Sequence, residues 1–363
     1  MAPASTPTDL KALVDLAEST STLLSQFLKT LTNPSQDGAS APLDENIDPL
    51  ALLHDSAKLL RAHTTKLSLL LINKPFTASA ITKVLREVSG TVLPAMMGGV
   101  QLASQLAASH KMPVLVEKET RARVRRILSA FSEEAVEIKG MAERVLDEGN
   151  GGGKEQDGRE GRDTLSSTGV VWQACDALME VQQSGFAGIL VQRVEEWKST
   201  LLDAVEELKE WVEDDEDDED EDEDEDEDSG DDEEFDDMFG GDKMPKGNRE
   251  LREQLEKSLK KTKTISVLYQ AIVKRRLKAL PKQTSVHTTE KLDQLMDILQ
   301  SIPETVDEMA SSFYDLDGEE AAEIFNKCCS DAVRASELVK QNWEAKDDEF
   351  TTWSSKFQDA IKT

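Results

Sequence analysis

Apolar residues recur along this chain at intervals of three and four, the spacing of a helix buried along one face. The first stripe is Leu10, Leu13, Val14, Ala17, Leu24, Phe27, Leu28 and Leu31, and Thr6-Pro7 ahead of it reads as a helix start. Asn33–Asn46 has loop chemistry, the pattern resumes over Ile47–Ile72, and Asn73-Lys74-Pro75 stops it. Thr77–Ala108 is helical again, with a bend or break expected near Pro94 and Gly98-Gly99. Pro113 opens a helix to Leu146, Gly149–Arg162 reads as a Gly-rich linker, and two helices follow near Leu165–Val181 and Gly185–Val212. Further on the pattern predicts Asn248–Leu280 ended by Pro281, then Thr288–Ser301, a Pro303-initiated helix to Asp315, Gly318–Lys346 and Glu349–Ile361. No stretch alternates with period two and no unit repeats at fixed length, so neither a sheet nor a solenoid is expected. The expected fold is all-α.

One stripe is regular enough to suggest a zipper. Leu190, Trp197, Ala204 and Trp211 repeat every seven residues, with Val194, Leu201 and Leu208 between them. Exposed, this seam would bind a partner helix, and Leu190, Val194, Trp197, Leu201, Leu208 and Trp211 are the candidate contacts. The competing reading packs the same stripe inside its own bundle, which uses the same seam geometry.

Charge divides the chain. Of 73 acidic residues, 22 fall between Glu213 and Asp237, where there is no basic residue. The remaining 51 face 42 Lys and Arg, so the formal net charge of −31 is −22 in that tract and only −9 elsewhere. A tract so charged has almost nothing to bury and is expected to be a disordered linker. The expected domains are therefore a helical bundle at 1–212, an acidic linker at 213–247 and a second bundle at 248–363. The tract has three readings: a solvated spacer, a docking strip for histones or other basic proteins, or a strip that folds back on a basic face of its own chain. Ser229, ahead of Gly-Asp-Asp-Glu-Glu, suits an acid-directed kinase, and Phe235–Gly241 (FDDMFGG) places two aromatics among acids.

The basic face in question lies on Arg249–Lys278. Ile265, Leu268, Ile272, Val273 and Leu277 form its apolar side, and Lys260, Lys261, Lys263, Lys274, Arg275, Arg276 and Lys278 carry its charge. Lys260-Lys261 and the later Lys-Arg-Arg-Leu-Lys also match a bipartite nuclear-import spacing, so residence in both cytoplasm and nucleus is expected. A solvated helix face explains the same residues. Nucleic acid is a poor fit as partner, because the neighbouring acidic tract competes with phosphate for these cations.

Catalytic signatures are missing. The four histidines, His54, His63, His110 and His287, sit in no metal-binding or nucleophile context, and the Gly149–Gly153 run lacks the Lys-Ser/Thr of a phosphate loop. No cofactor is expected, nor an enzyme. Cys175 reads as a core residue, and three cysteines, two of them adjacent (Cys328 and Cys329), suit a reducing compartment. No apolar run reaches about 18 residues, so no membrane span is expected, and the first ten residues lack the composition of a secretory signal.

Asp163–Val181 (DTLSSTGVVWQACDALMEV) holds the most specific block, Val171-Trp172-Gln173-Ala174-Cys175. Ser166-Ser167-Thr168 can cap a helix start, and Val171, Trp172, Cys175 and Leu178 then share one face. Trp172 and Cys175 are the expected structural anchors, with Trp172→Ala costing about 3–5 kcal/mol. The block resembles the cyclin-D-interacting family, helix–loop–helix regulators that lack a basic DNA-contact region. The order of parts is similar too: a helical N-terminal part, this block, a Leu-rich helix, an acidic segment and a helical C-terminal part. The resemblance implies two helical bundles and a non-enzymatic protein. It also implies binding to cyclin D or to helix–loop–helix transcription factors, with a negative effect on proliferation or transcription. The alternative function is an acidic chaperone of histones or other basic proteins, acting through residues 213–237.

Overall fold

The computed structural model describes residues 6–33, 47–148, 160–213, 248–281 and 284–362. Of the expected acidic linker, Glu213 ends a helix and the rest, with Ser229, lies outside them. The described residues are helical and contain no strand. Their helices are α1 (Pro7–Thr32), α2 (Pro49–Ile72), α3 (Ala78–Glu87), α4 (Leu93–Ala108), α5 (Val114–Glu148), α6 (Glu160–Glu213), α7 (Arg249–Arg275), α8 (Val286–Tyr314), α9 (Gly318–Leu338) and α10 (Glu349–Lys362).

Local chemistry sets several boundaries where the pattern put them. Thr6 caps α1 through the Asp9 amide at 3.2 Å, Asp9 returns the bond to the Thr6 amide, and Pro7 occupies the first turn. The break between the two expected helices of α6 is a single residue, Gly185, at φ 61° and ψ −172°, a conformation that glycine reaches without steric penalty.

Three expectations are corrected. The irregularity ahead of Pro94 is a π-helical turn at Val88–Val92, while Gly98 and Gly99 stay helical within α4. Gly99 serves close packing instead: a Cβ there would lie 2.7 Å from Leu53 of α2. Pro303 starts no helix, because α8 runs through it. A proline removes the amide that would bond the carbonyl four residues earlier, here Leu299. The buried Tyr269 hydroxyl of α7 donates to that carbonyl at 2.6 Å, which satisfies the group the proline leaves open. Last, α9 stops at Leu338, not Lys346, and α7 at Arg275, not Leu280. The Arg276 guanidinium takes the Val339 and Lys340 carbonyls at 2.7 and 2.9 Å, so the chain turns where the helix would have continued.

The chain divides into two compact units, Met1–Ile189 and Leu190–Thr363. The stretch Leu190–Val212, expected to close the first bundle, clusters with the second. In the first unit α1 lies along α5, α3 packs on α1, and α4 packs on α2 and α5. The part of α6 before Gly185 is tied to α5 by Arg123, which donates to the Ala177 carbonyl at 2.5 Å, and by Ser167, which donates to Glu137 at 2.7 Å. Ser166–Thr168 are thus inside the helix and do not cap it. In the second unit α9 packs on α8 and α7, and α10 closes against α7 and α9.

Candidate docking surface

The zipper seam is core. Leu190, Val194, Leu201 and Leu208 are fully buried, Trp211 nearly so, and Trp197 and Ala204 partly. Trp211 meets Tyr314 of α8 edge-on at 5.2 Å, Tyr314 donates to Glu207 at 3.4 Å, and Arg252 donates to the Val212 carbonyl at 3.3 Å. The seam therefore holds the second unit together. As partner contacts Leu190, Val194, Leu201, Leu208 and Trp211 are withdrawn, because buried side chains cannot meet a second protein without opening the fold, while Trp197 is only partly covered.

The Val171–Cys175 block is an internal face as expected. Val171, Ala174, Cys175 and Leu178 are buried. Burial pushes the Cys175 thiol up to about 12, with Asp176 adding to the shift, which keeps it a protonated core residue and a poor nucleophile. Trp172 sits at the margin, half-buried, with the Arg61 guanidinium 5.5 Å above its ring and Arg61 paired to Asp176 at 2.9 Å. Its Nε1 is buried with no hydrogen-bond acceptor, and the Thr64, Thr168 and Glu134 side-chain oxygens of the same unit are also unmatched. Glu134 is fully buried. Desolvation, reinforced by Glu137 and opposed by Thr64, raises its carboxyl to about 8.

The basic face expected on Arg249–Lys278 separates into four fates. Arg276 is fully buried: it pairs with both oxygens of Asp348 at 2.7 and 2.9 Å, lies 4.4 Å over the Phe350 ring, and its carbonyl accepts from Trp343 Nε1 at 2.9 Å. Its expected place on the charged surface is corrected, since the paired, desolvated guanidinium now locks the C-terminal turn. Asp348 in turn is held down to about 2, chiefly by the hydrogen bond from Arg276. Lys261 caps the end of α10, donating to the Ile361 carbonyl at 3.1 Å, where a cation also meets the negative end of the helix dipole. Lys260 and Lys278 are exposed. Lys263, Lys274 and Arg275 line a groove.

That groove runs between α7 and α10. It has two adjoining hollows of about 460 and 420 Å³, which share Val267 and Trp353. Val267 is 46% exposed, an apolar side chain with no structural need to face water. Trp353 stacks on Phe357 at 5.3 Å and tilts against Phe350 at 5.4 Å, so the half-open indole rests on two buried rings. Lys263 and Lys356 stand at one hollow, Lys274 and Arg275 at the other. Arg275 is paired with Glu349 at 2.6 Å, and no carboxylate among the described residues pairs with the three lysines. The result is an aromatic floor between two cationic ends.

Sequence reasoning found the lysine side of this groove and missed the aromatic side. The available signal was Phe350, Trp353 and Phe357, at i, i+3 and i+7 of one helix. Among the described residues no group of His, Cys, Asp and Glu is placed to hold a metal ion, and no helix is long and apolar enough to cross a membrane.

Comparison with known proteins gives two matches. Residues 52–214 match the family model described as Grap2 and cyclin-D-interacting, N-terminal. An uncharacterised protein of Schizosaccharomyces pombe is 23% identical over 319 residues, covering 85% of this chain and 83% of the relative.

Proposed function

We propose that this chain, whose residues 52–214 match the family model described as Grap2 and cyclin-D-interacting, N-terminal, is a non-enzymatic regulatory protein that works by docking other proteins. The observation that carries the reading is the groove between α7 and α10, where an exposed valine and a half-open tryptophan lie between exposed lysines. With most of the Leu190–Trp211 seam buried, the groove is a described surface suited to a protein ligand. Its chemistry suits a segment with apolar or aromatic anchors flanked by Asp or Glu: burying the anchors supplies affinity, and charge speeds and orients the encounter. The match of residues 52–214 to a cyclin-D-interacting family supports a cyclin-D-related partner, a helix–loop–helix protein is the second partner class to test, and restraint of proliferation or transcription is the expected consequence.

The test titrates purified cyclin D and a helix–loop–helix protein against the full-length chain and two variants, Val267→Glu and the pair Lys263→Glu with Lys274→Glu. Weakening by about tenfold or more in both variants supports the groove. Binding unchanged in both places the partner elsewhere, with the 52–214 domain the first place to look. A parallel titration of histones uses a chain lacking residues 213–237. Binding lost with that deletion but kept in the groove variants would favour the acidic chaperone, and its salt dependence should be steep.

A further inference from the structure

We propose that the groove between α7 and α10 is occupied by the chain's own acidic–aromatic segment Glu233–Phe239 (EEFDDMF), which lies outside the described residues. This rests on the reading of the groove as a docking surface and names its regulation. Three observations point to this occupant.

The first is charge and its arrangement. The groove alternates cation, aromatic floor, cation, and Lys263 and Lys274 stand about 16 Å apart along α7. The segment alternates acid pair, phenylalanine, acid pair, methionine and phenylalanine, and spans about 20 Å when extended. Aromatic rings and a thioether both pack well on an open indole.

The second is selectivity within the acidic stretch. Glu213–Asp228 is a run of acids with no apolar residue and could only hover near the lysines. Phe235, Met238 and Phe239, at the end of the acidic stretch, bring two rings and a thioether that can cover Val267 and Trp353.

The third is reach. Phe239 precedes Asn248, where the description of α7 resumes, by nine residues, a span of up to about 30 Å. Lys263 lies about 22 Å along α7 from Asn248. A tether this short makes the local concentration of the segment on the order of millimolar, so even weak docking competes with partners in solution. An external partner of the same chemistry would have to displace it.

The experiment measures a labelled peptide with the sequence of Asp231–Gly241 by fluorescence anisotropy against three full-length proteins: wild type, the triple variant Phe235→Ala, Met238→Ala, Phe239→Ala, and that triple variant with Val267→Glu. The expected result is weak binding to wild type, binding about tenfold or more tighter to the triple variant, and loss of that gain with Val267→Glu. Val267 is exposed, so its substitution leaves the fold intact. Equal, measurable affinity for wild type and triple variant would overturn self-occupancy while leaving the groove a docking surface. No binding to either would overturn the docking reading as well. Masking that strengthens with the wild-type protein's concentration would assign the occupant to a second copy, which also overturns the intramolecular proposal.

Discussion

At the scale of single residues, the informative groups are those whose polar needs are met from far along the chain, or not met at all. Tyr269 satisfies the carbonyl that Pro303 leaves open. Tyr269→Phe should lower stability by about 1–3 kcal/mol by chemical denaturation, because a buried carbonyl loses its donor. Pro303→Ala restores an amide donor, so in the Tyr269→Phe background it should recover part of the loss, and a double-mutant cycle measures the coupling. Glu134 is the opposite case, a buried carboxyl whose near donor, the Thr64 hydroxyl, is too poorly placed to satisfy it. Below about pH 4.5 it is protonated in folded and unfolded chains alike. From there to about 8 the unfolded chain ionises first, so stability falls as pH rises, and above 8 the loss is complete. Glu134→Gln should flatten that slope and raise stability at pH 8 by on the order of 1–3 kcal/mol, read from denaturant midpoints across pH. The sequence marks neither role, since nothing local distinguishes Tyr269 from a core phenylalanine or Glu134 from a solvated glutamate.

At the scale of elements, the hydrophobic period located almost every helix but not every helix end. Local caps, such as Thr6 with Asp9, were readable because donor and acceptor lie within one turn. The ends of α7 and α9 were not, because Arg276 holds them together across 63 and 64 residues of sequence. The seam on α6 shows the same division: its heptad spacing was legible, its partner was not. Since the seam is core, Leu201→Ala should destabilise the second unit by about 2–5 kcal/mol, measured as earlier proteolysis within Leu190–Thr363. Protease resistance equal to wild type would return the seam to the surface. Gly99→Val should cost about 1–3 kcal/mol by denaturation, since the added side chain meets Leu53 in a filled interface.

At the scale of the whole molecule, composition and period established an all-α chain, a charge imbalance concentrated in one tract, and a basic helix after it. These properties are local: a helix period needs only a few turns of sequence, and charge is counted residue by residue, with 22 acids falling between Glu213 and Asp237. Tertiary structure alone decided which unit receives Leu190–Val212, since that depends on contacts distant in sequence, such as Trp211 with Tyr314 and Arg252 with the Val212 carbonyl. It also decided which cations of one basic segment remain available. Arg276 is sealed by Asp348 and two carbonyls, Lys261 caps α10, Arg275 pairs with Glu349, and Lys263 and Lys274 are left beside an aromatic floor brought in from about ninety residues away. Burial and pairing of this kind depend on residues distant in sequence, so a stripe or a charge run shows that a face exists, and only packing shows whether the face is covered.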